Sequence, residues 1–328
     1  MEIGKLTSQQ LKEIIFDKLK NNRKEVIARP GIGEDCAVID YGENVCVMSS
    51  DPITGTAKNI GKLAVHITCN DIASEGVAPL GIMLTIMLPP HSTEEDIKSI
   101  MEDAIEEAQK LDVDILGGHT EVTDAVNRIV ISSTGIGLKP KADVYKAEKI
   151  MEGDLLILTK GAGIEGTGII CFEREDELKK AFGEETVEEG KALMDYISVI
   201  TEGVIGGQSG AKVMHDVTEG GVLGGVWELC ELAGLGCSIW MDKIHIHRST
   251  SLVCKHYNID PLRLISSGSM LMVAGKDKAQ EIIGRLEEKG IGCSIIGRLE
   301  KCCDKKLVDG GKVIDIDPPA SDELYKVV

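Results

Sequence analysis

The order of apolar and polar residues alternates between two periods. Leu11, Ile14, Ile15 and Leu19 recur at helical spacing behind Thr7 and Ser8, either of which can cap, so a helix is predicted to about Asn21. A Gly-rich turn, GIGEDCAVID over 31–40, leads into a strand, and a second strand over 45–50 ends at Asp51-Pro52. The run 60–74 predicts a helix that buries Leu63, Ala64, Ile67 and Ile72. A long apolar strand covers 79–88. Ser92 with Glu95 reads as a capping box for a helix over 93–111. Strands follow at 113–117 and 128–138.

Strands and helices then start a second time. The polar stretch 139–153, with Pro140, reads as a boundary, giving domains 1–148 and 149–328. Beyond it come a buried strand over 154–160, the turn GAGIEG and a helix. The charged run 173–189 reads as exposed helix and loop. A short strand at 213–216 precedes a helix over 219–234. Strands near 237–240, 270–274, 293–299 and 313–316, with a helix over 278–289, complete a mixed α/β chain in two halves.

Composition narrows the function classes. The chain has 328 residues, more than one typical core, which fits two domains. Only 3% are aromatic against 43% hydrophobic, so Ile, Val, Leu, Ala and Met must build the interior. A net charge of −18 disfavours nucleic acid and anionic membranes as partners. Any polyanion would need a cation between itself and the carboxylates. No apolar run is long enough to span a bilayer, and residues 1–10 lack a signal-peptide layout. Ten scattered cysteines without a C-x-x-C pair read as reduced thiols of a cytoplasmic protein. Cys302-Cys303 has no second pair at zinc spacing.

Three constellations could carry chemistry. Gly161 to Gly166 fits G-x-G-x-x-G, but a dinucleotide fold needs an acidic strand end about 20 positions on. Here that stretch is the charged, helical REDELKKAFGEE. A tight strand–helix turn, or one whose N–H groups face a phosphate, fits better. Second, Glu34-Asp35, Asp51, Asn70-Asp71 and Asp216 sit at strand ends or beside glycine, where carboxylates can hold a hard cation such as Mg²⁺ against phosphate oxygens. Each acid alone also fits a solvated turn or an N-cap. The case rests on their convergence. Third, Gly117-Gly118-His119-Thr120-Glu121 offers close backbone approach, with a base and a ligand or merely hydrogen-bonded turn residues. His215 beside Asp216 is equally open. There is no P-loop and no G-x-S-x-G elbow.

Taken in order, GIGEDCAVI, SSDPITG, NDIASEGVAPLG, GGHTEV, TKGAGIEGT and MHDVTEGGVLGG resemble the aminoimidazole ribonucleotide synthetase-like (PurM-like) ATP-binding superfamily over nearly the whole chain. The wording is nearest its HypE branch, the hydrogenase maturation factors. The resemblance implies two α/β domains, with the N-terminal domains of a homodimer sharing a β-barrel. It implies ATP and Mg²⁺ in an acid-lined cleft near the dimer interface, and phosphoryl transfer or ATP-driven dehydration of a small-molecule or carbamoyl-type acceptor. Asp35, Asp51 and Asp71 match the family's metal- and phosphate-handling acids, Asp216 a carboxylate of the second domain, and Glu219 a weaker match. Gly117 and Gly118 would line the nucleotide site, and His119 and Glu121 would face the acceptor. A hydrogenase-maturation protein partner is a further implication.

Departures from the branch are specific. HypE ends in a carbamoyl-accepting cysteine, whereas this sequence reads Tyr325-Lys326-Val327-Val328 and its last cysteine is Cys303. HypE has a lysine where Glu121 stands, and an Asn-Glu-Gly turn where Ser266-Ser267-Gly268 stands. The expectation is a HypE-like paralogue with a different acceptor, or a nucleotide-binding scaffold that has lost its nucleophile. The selenophosphate synthetase, purine synthetase and thiamine-monophosphate kinase branches match these motifs less well.

Overall fold

A computed structural model describes residues 4–20, 23–28, 31–54, 59–143 and 150–328. The predicted boundary at 148–149 and the predicted helix end at Asn21 lie outside them.

The chain opens on α1 (Ser8–Gln10). Thr7 and Gln10 form a reciprocal capping box. The helix does not run on as predicted. It widens to a π turn over Leu11–Ile15 and tightens to 3₁₀ over Phe16–Lys18. Ile14, Ile15 and Leu19 stay exposed, so no buried face holds a regular helix there.

The first sheet contains β1 (Val26–Ala28), β2 (Ala37–Tyr41), β3 (Asn44–Ile53), β4 (Pro79–Leu88), β5 (Asp114–Val122) and β6 (Val130–Pro140). Its order is β1-β2-β3-β6-β4-β5, antiparallel except for the parallel pair β4/β5. One face is covered by α2 (Ile60–Ser74) and α3 (Glu94–Lys110), and Leu63, Ala64, Ile82, Ile86 and Ile131 share one core there. Met83, Leu116 and Leu138 remain exposed. The box on α3 is Thr93 with Asp96, one residue later than predicted. β3 runs beyond its predicted end because β6 pairs with it as far as Ile53, although β2 stops at Met48. Pro52 pairs with β6 alone, at an edge position where its missing N–H breaks no ladder. β5 likewise continues through Gly117–Glu121, which the sequence read as a turn.

The second sheet contains β7 (Leu155–Thr159), β8 (Val213–Asp216), β9 (Gly236–Trp240), β10 (Met270–Ala274), β11 (Cys293–Glu300), β12 (Lys305–Asp309) and β13 (Lys312–Asp315). Its order is β13-β12-β9-β11-β7-β10-β8. β10 is buried at every residue, which explains its unbroken apolar run. Around the sheet lie α4 (Ile164–Glu173), α5 (Glu175–Phe182), α6 (Glu184–Ala192), α7 (Ile200–Ser209), α8 (Gly221–Ala233), α9 (Arg248–Tyr257) and α10 (Lys276–Glu287). Val222, Val226 and Leu229 of α8 pack on one face, and Ile205, Ala279 and Ile282 of α7 and α10 on the other. The glycines of α7 hid it from sequence reading. Gly203 is needed, since a Cβ there would lie 2.1 Å from the Ala73 carbonyl oxygen of α2.

Both halves meet at α2. Asn70 donates from Nδ2 to the Ile197 carbonyl at 2.7 Å and accepts at Oδ1 from the Val199 N–H at 2.9 Å. Lys62 reaches Asp195 at 3.0 Å.

Candidate functional site

The same helix that joins the halves carries Asp71. α2 is apolar on nearly every side, so it is buried and takes Asp71 inward with it. Ser49 of β3 donates to the Asp71 carboxyl and lies 3.2 Å from Asp51 Oδ2. Cys36 Sγ donates to the Asp71 carbonyl at 3.1 Å. From the second sheet, β8 ends in His215-Asp216, buried at every residue. Just beyond, Gly220 and Gly221 hold φ of 85° and 62°, a left-handed pair that turns the chain into α8. Asp322 fixes this turn, accepting from the Gly220 N–H at 2.7 Å as well as from Ile265 and Leu324.

The four aspartates predicted together do come together. Burial first, then the charges of Asp216, Asp51 and Asp35, push the Asp71 carboxyl well above the carboxylate range. Burial and Asp35 push Asp216 up to about 7, against the opposing pull of His215. Asp216 Oδ2 is buried without a hydrogen-bond partner. One ligand atom each from Asp35, His215 and Asp216 lie within 4.8 Å of one another. The imidazole is not the free member of that trio. Its Nδ1 lies 2.8 Å from Asp35 Oδ2 and its Nε2 lies 3.1 Å from Glu228 Oε2. Burial alone would lower its pKa, but Asp35 and Glu228 outweigh it and hold the ring cationic. The reciprocal effect holds Glu228 at about 2 against its own burial. Beyond Glu228, Lys5 Nζ stands 3.6 Å from its other oxygen. Glu34 also rises to about 7, through burial, Glu75 and Asp35.

Other predicted residues lie elsewhere. Gly117, Gly118, His119 and Glu121 are on β5, and His119 Nε2 sits 3.3 Å from Glu121 Oε2 on exposed side chains. β6 and β4 intervene between β5 and β3, three strand spacings or about 14 Å. Within one chain the four residues do not join the aspartates. Asn70 is a structural bracket. Glu219 sits in the turn after Asp216, held by the Lys5 N–H at 2.9 Å and the Tyr325 hydroxyl at 2.6 Å. Glu228 and Lys5 were not predicted. A buried glutamate inside the apolar run GVLGGVWELC was a readable signal, whereas a lysine near the N-terminus was not.

A separate cavity of about 1050 Å³ opens at the ends of β7 and β11, lined by Lys160, Glu202, His245, His247 and Cys293 among others. Lys160 Nζ is fully engaged there, by Glu202 at 2.7 Å and the carbonyls of Tyr196 and Ser198. None of the four aspartates lines it.

Donor chemistry of the aspartate site suits a hard cation. It offers carboxylate oxygens, one of them buried and unpartnered, and the imidazolium that balances Asp35 is held from behind by Glu228. Among the described residues no helix is long and apolar enough to cross a membrane.

Comparison with known proteins gives the lineage. Models for the AIR synthase related protein, N-terminal domain and C-terminal domain, match residues 33–139 and 151–310. A protein of Methanocaldococcus jannaschii named for hydrogenase expression/formation is 28% identical over 331 residues, 97% of this chain and 96% of its own. The carbamoyl dehydratase HypE of Bradyrhizobium diazoefficiens is 26% identical over 296 residues, 88% of this chain and 82% of its own. A solved HypE–HypF complex matches with TM-score 0.77 at 23% identity, covering 94% of this chain and 99% of that one. HypE in complex with ATP matches with TM-score 0.69 at 17% identity, covering 98% and 94%. At those identities the structures carry the fold, and the two domain models between them account for most of the chain. The protein belongs to the AIR synthase-related family, with a PurM-like fold of the HypE branch.

Proposed function

We propose that the protein is a Mg²⁺- and ATP-dependent enzyme whose aspartate site binds the nucleotide's phosphates through the metal. Asp35, Asp51, Asp71 and Asp216 would hold the cation. The observation that carries this reading is their convergence from both halves, with Asp216 Oδ2 buried and unpartnered. The bound metal would offset the phosphate charge and keep the transferring group in line. The chain's own side chains do the positioning. His215 fixes Asp35 from one side, Ser49 orients Asp71, and Asp322 sets the turn behind Asp216.

Residues 1–148 would be the nucleotide-binding and dimerisation domain and 149–328 the α/β domain. In a homodimer built through the first sheet, Gly117, Gly118, His119 and Glu121 would reach the partner's site. The exposed Met83, Leu116 and Leu138 support that face as the contact. The acceptor would be a separate small molecule or a carbamoyl or carbonyl group on a protein, including one of the hydrogenase-maturation type. Leu324 and Val327 are buried and Arg174 holds the Val327 carbonyl, so residues 322–327 pack against the second half.

Calorimetric ATP titration with and without Mg²⁺ tests the site. Wild type should bind and Asp35→Asn and Asp71→Asn should not. Unchanged affinity in both variants removes the reading. Binding by wild type without ATP turnover on any carbamoyl or carbonyl acceptor would leave the nucleotide-binding scaffold as the better description.

A further inference from the structure

We infer that Lys5 is the side chain that meets the terminal phosphate of the bound nucleotide. The inference rests on the reading above and adds a residue the sequence motifs do not contain. The Lys5 main chain is pinned. Its N–H donates to Glu219 Oε2 at 2.9 Å, and Glu219 Oε1 is held by the Tyr325 hydroxyl at 2.6 Å. Gly4 packs on the same tyrosine, whose Cε2 would lie 3.0 Å from an added Cβ. First and last segments of the chain thus clasp the turn that follows Asp216.

The side chain, by contrast, is loosely held. Nζ stands 3.6 Å from Glu228 Oε1, and the Lys5 side chain is 53% exposed where that of Glu228 is 9%. An ammonium has three donors, and beside this one long ion pair the carboxylates of Asp35 and Glu219 act on it only from beyond ion-pair distance, which leaves capacity unused. Lys160 is what a purely structural lysine looks like here, with all its donors engaged by a carboxylate and two carbonyls. Withdrawal of Lys5 from Glu228 would strand no charge, because Glu228 keeps His215. Lys5 therefore has a fixed base and a half-exposed, loosely paired head within electrostatic reach of Asp35 as well as Glu228 and Glu219. An anion bridged to those carboxylates by a cation is the partner such a head fits.

The test is calorimetric titration of the full chain with ATP and with ADP, both with Mg²⁺, for wild type, Lys5→Met and Lys5→Arg, alongside thermal midpoints. Lys5→Met should weaken ATP about tenfold and change ADP less than about twofold. Lys5→Arg should retain most ATP affinity, and the midpoints should coincide. Equal weakening of ATP and ADP, or unchanged ATP affinity in Lys5→Met, overturns the role of Lys5 while the aspartate site stands. A wild type that binds neither nucleotide overturns both.

Discussion

Two groups of buried charge lie near the strand ends of the second sheet, and they are treated in opposite ways. Glu202 is 1% exposed and meets Lys160 at 2.7 Å. Asp154, also buried, meets Lys212 at 2.8 and 2.7 Å and accepts from the Met151 N–H as well. Asp216 is likewise 1% exposed, yet among the described residues no lysine or arginine pairs with it and its neighbours Asp71 and Asp35 are acids. Desolvation penalises all of these carboxylates. The chain offsets it internally for Glu202 and Asp154 and leaves it only partly offset at Asp216. Burial alone therefore does not mark a functional acid. At Asp216 the His215 ring is the one cationic neighbour and it already balances Asp35, so charge is left that the proposed Mg²⁺ would neutralise.

The sharpest way to break this contrast is to make the paired group resemble the unpaired one. Lys160→Met should destabilise the protein by about 3–5 kcal/mol in urea unfolding, because Glu202 is left charged and buried. The reverse change, Asp216→Asn, should act with opposite sign. At pH 8.5 without divalent cations it should stabilise by about 1–3 kcal/mol, its amide donating to the surrounding carboxylates, while Mg²⁺ ceases to raise the midpoint.

The pH dependence sharpens the same point. Asp216 titrates at about 7 in the fold against 3.8 when unfolded. Its share of stability is intact below about 4, declines as pH rises towards 7, and is flat above. Urea midpoints across pH 4–8 should show this decline in wild type and less of it in Asp216→Asn. Mg²⁺ should accordingly stabilise wild type more at pH 8 than at pH 5.5. Smallest of all, Lys278→Ala removes an exposed pair with Glu281 and should leave the midpoint where it was.

Much of this was legible in the chain. The apolar runs gave β4, β7 and β10 nearly to their ends, and the helix carrying Asp71 was read over its full length. What escaped depended on partners distant in sequence. α7 is rich in glycine because α2 and Met214 press against it, so its own pattern is weak. β5 continues through two glycines because β4 supplies the ladder, which no local signal announces. At the site, the four aspartates were found through their glycine-flanked motifs. The His215–Glu228–Lys5 chain was not, since its three members come from a strand, a helix and the first residues of the chain.

One feature of these contacts bears on how the protein matures. The bonds that assemble the site join residues far apart in sequence, 127 and 129 positions at Asn70, 180 at Asp35–His215 and 214 at Lys5–Glu219. Loop-closure entropy makes such contacts costly to form before the segments between them are ordered. A nascent chain released up to residue 200 would hold Asp35, Asp51 and Asp71 with neither Asp216 nor His215. The site therefore comes into being only once both halves have folded against each other.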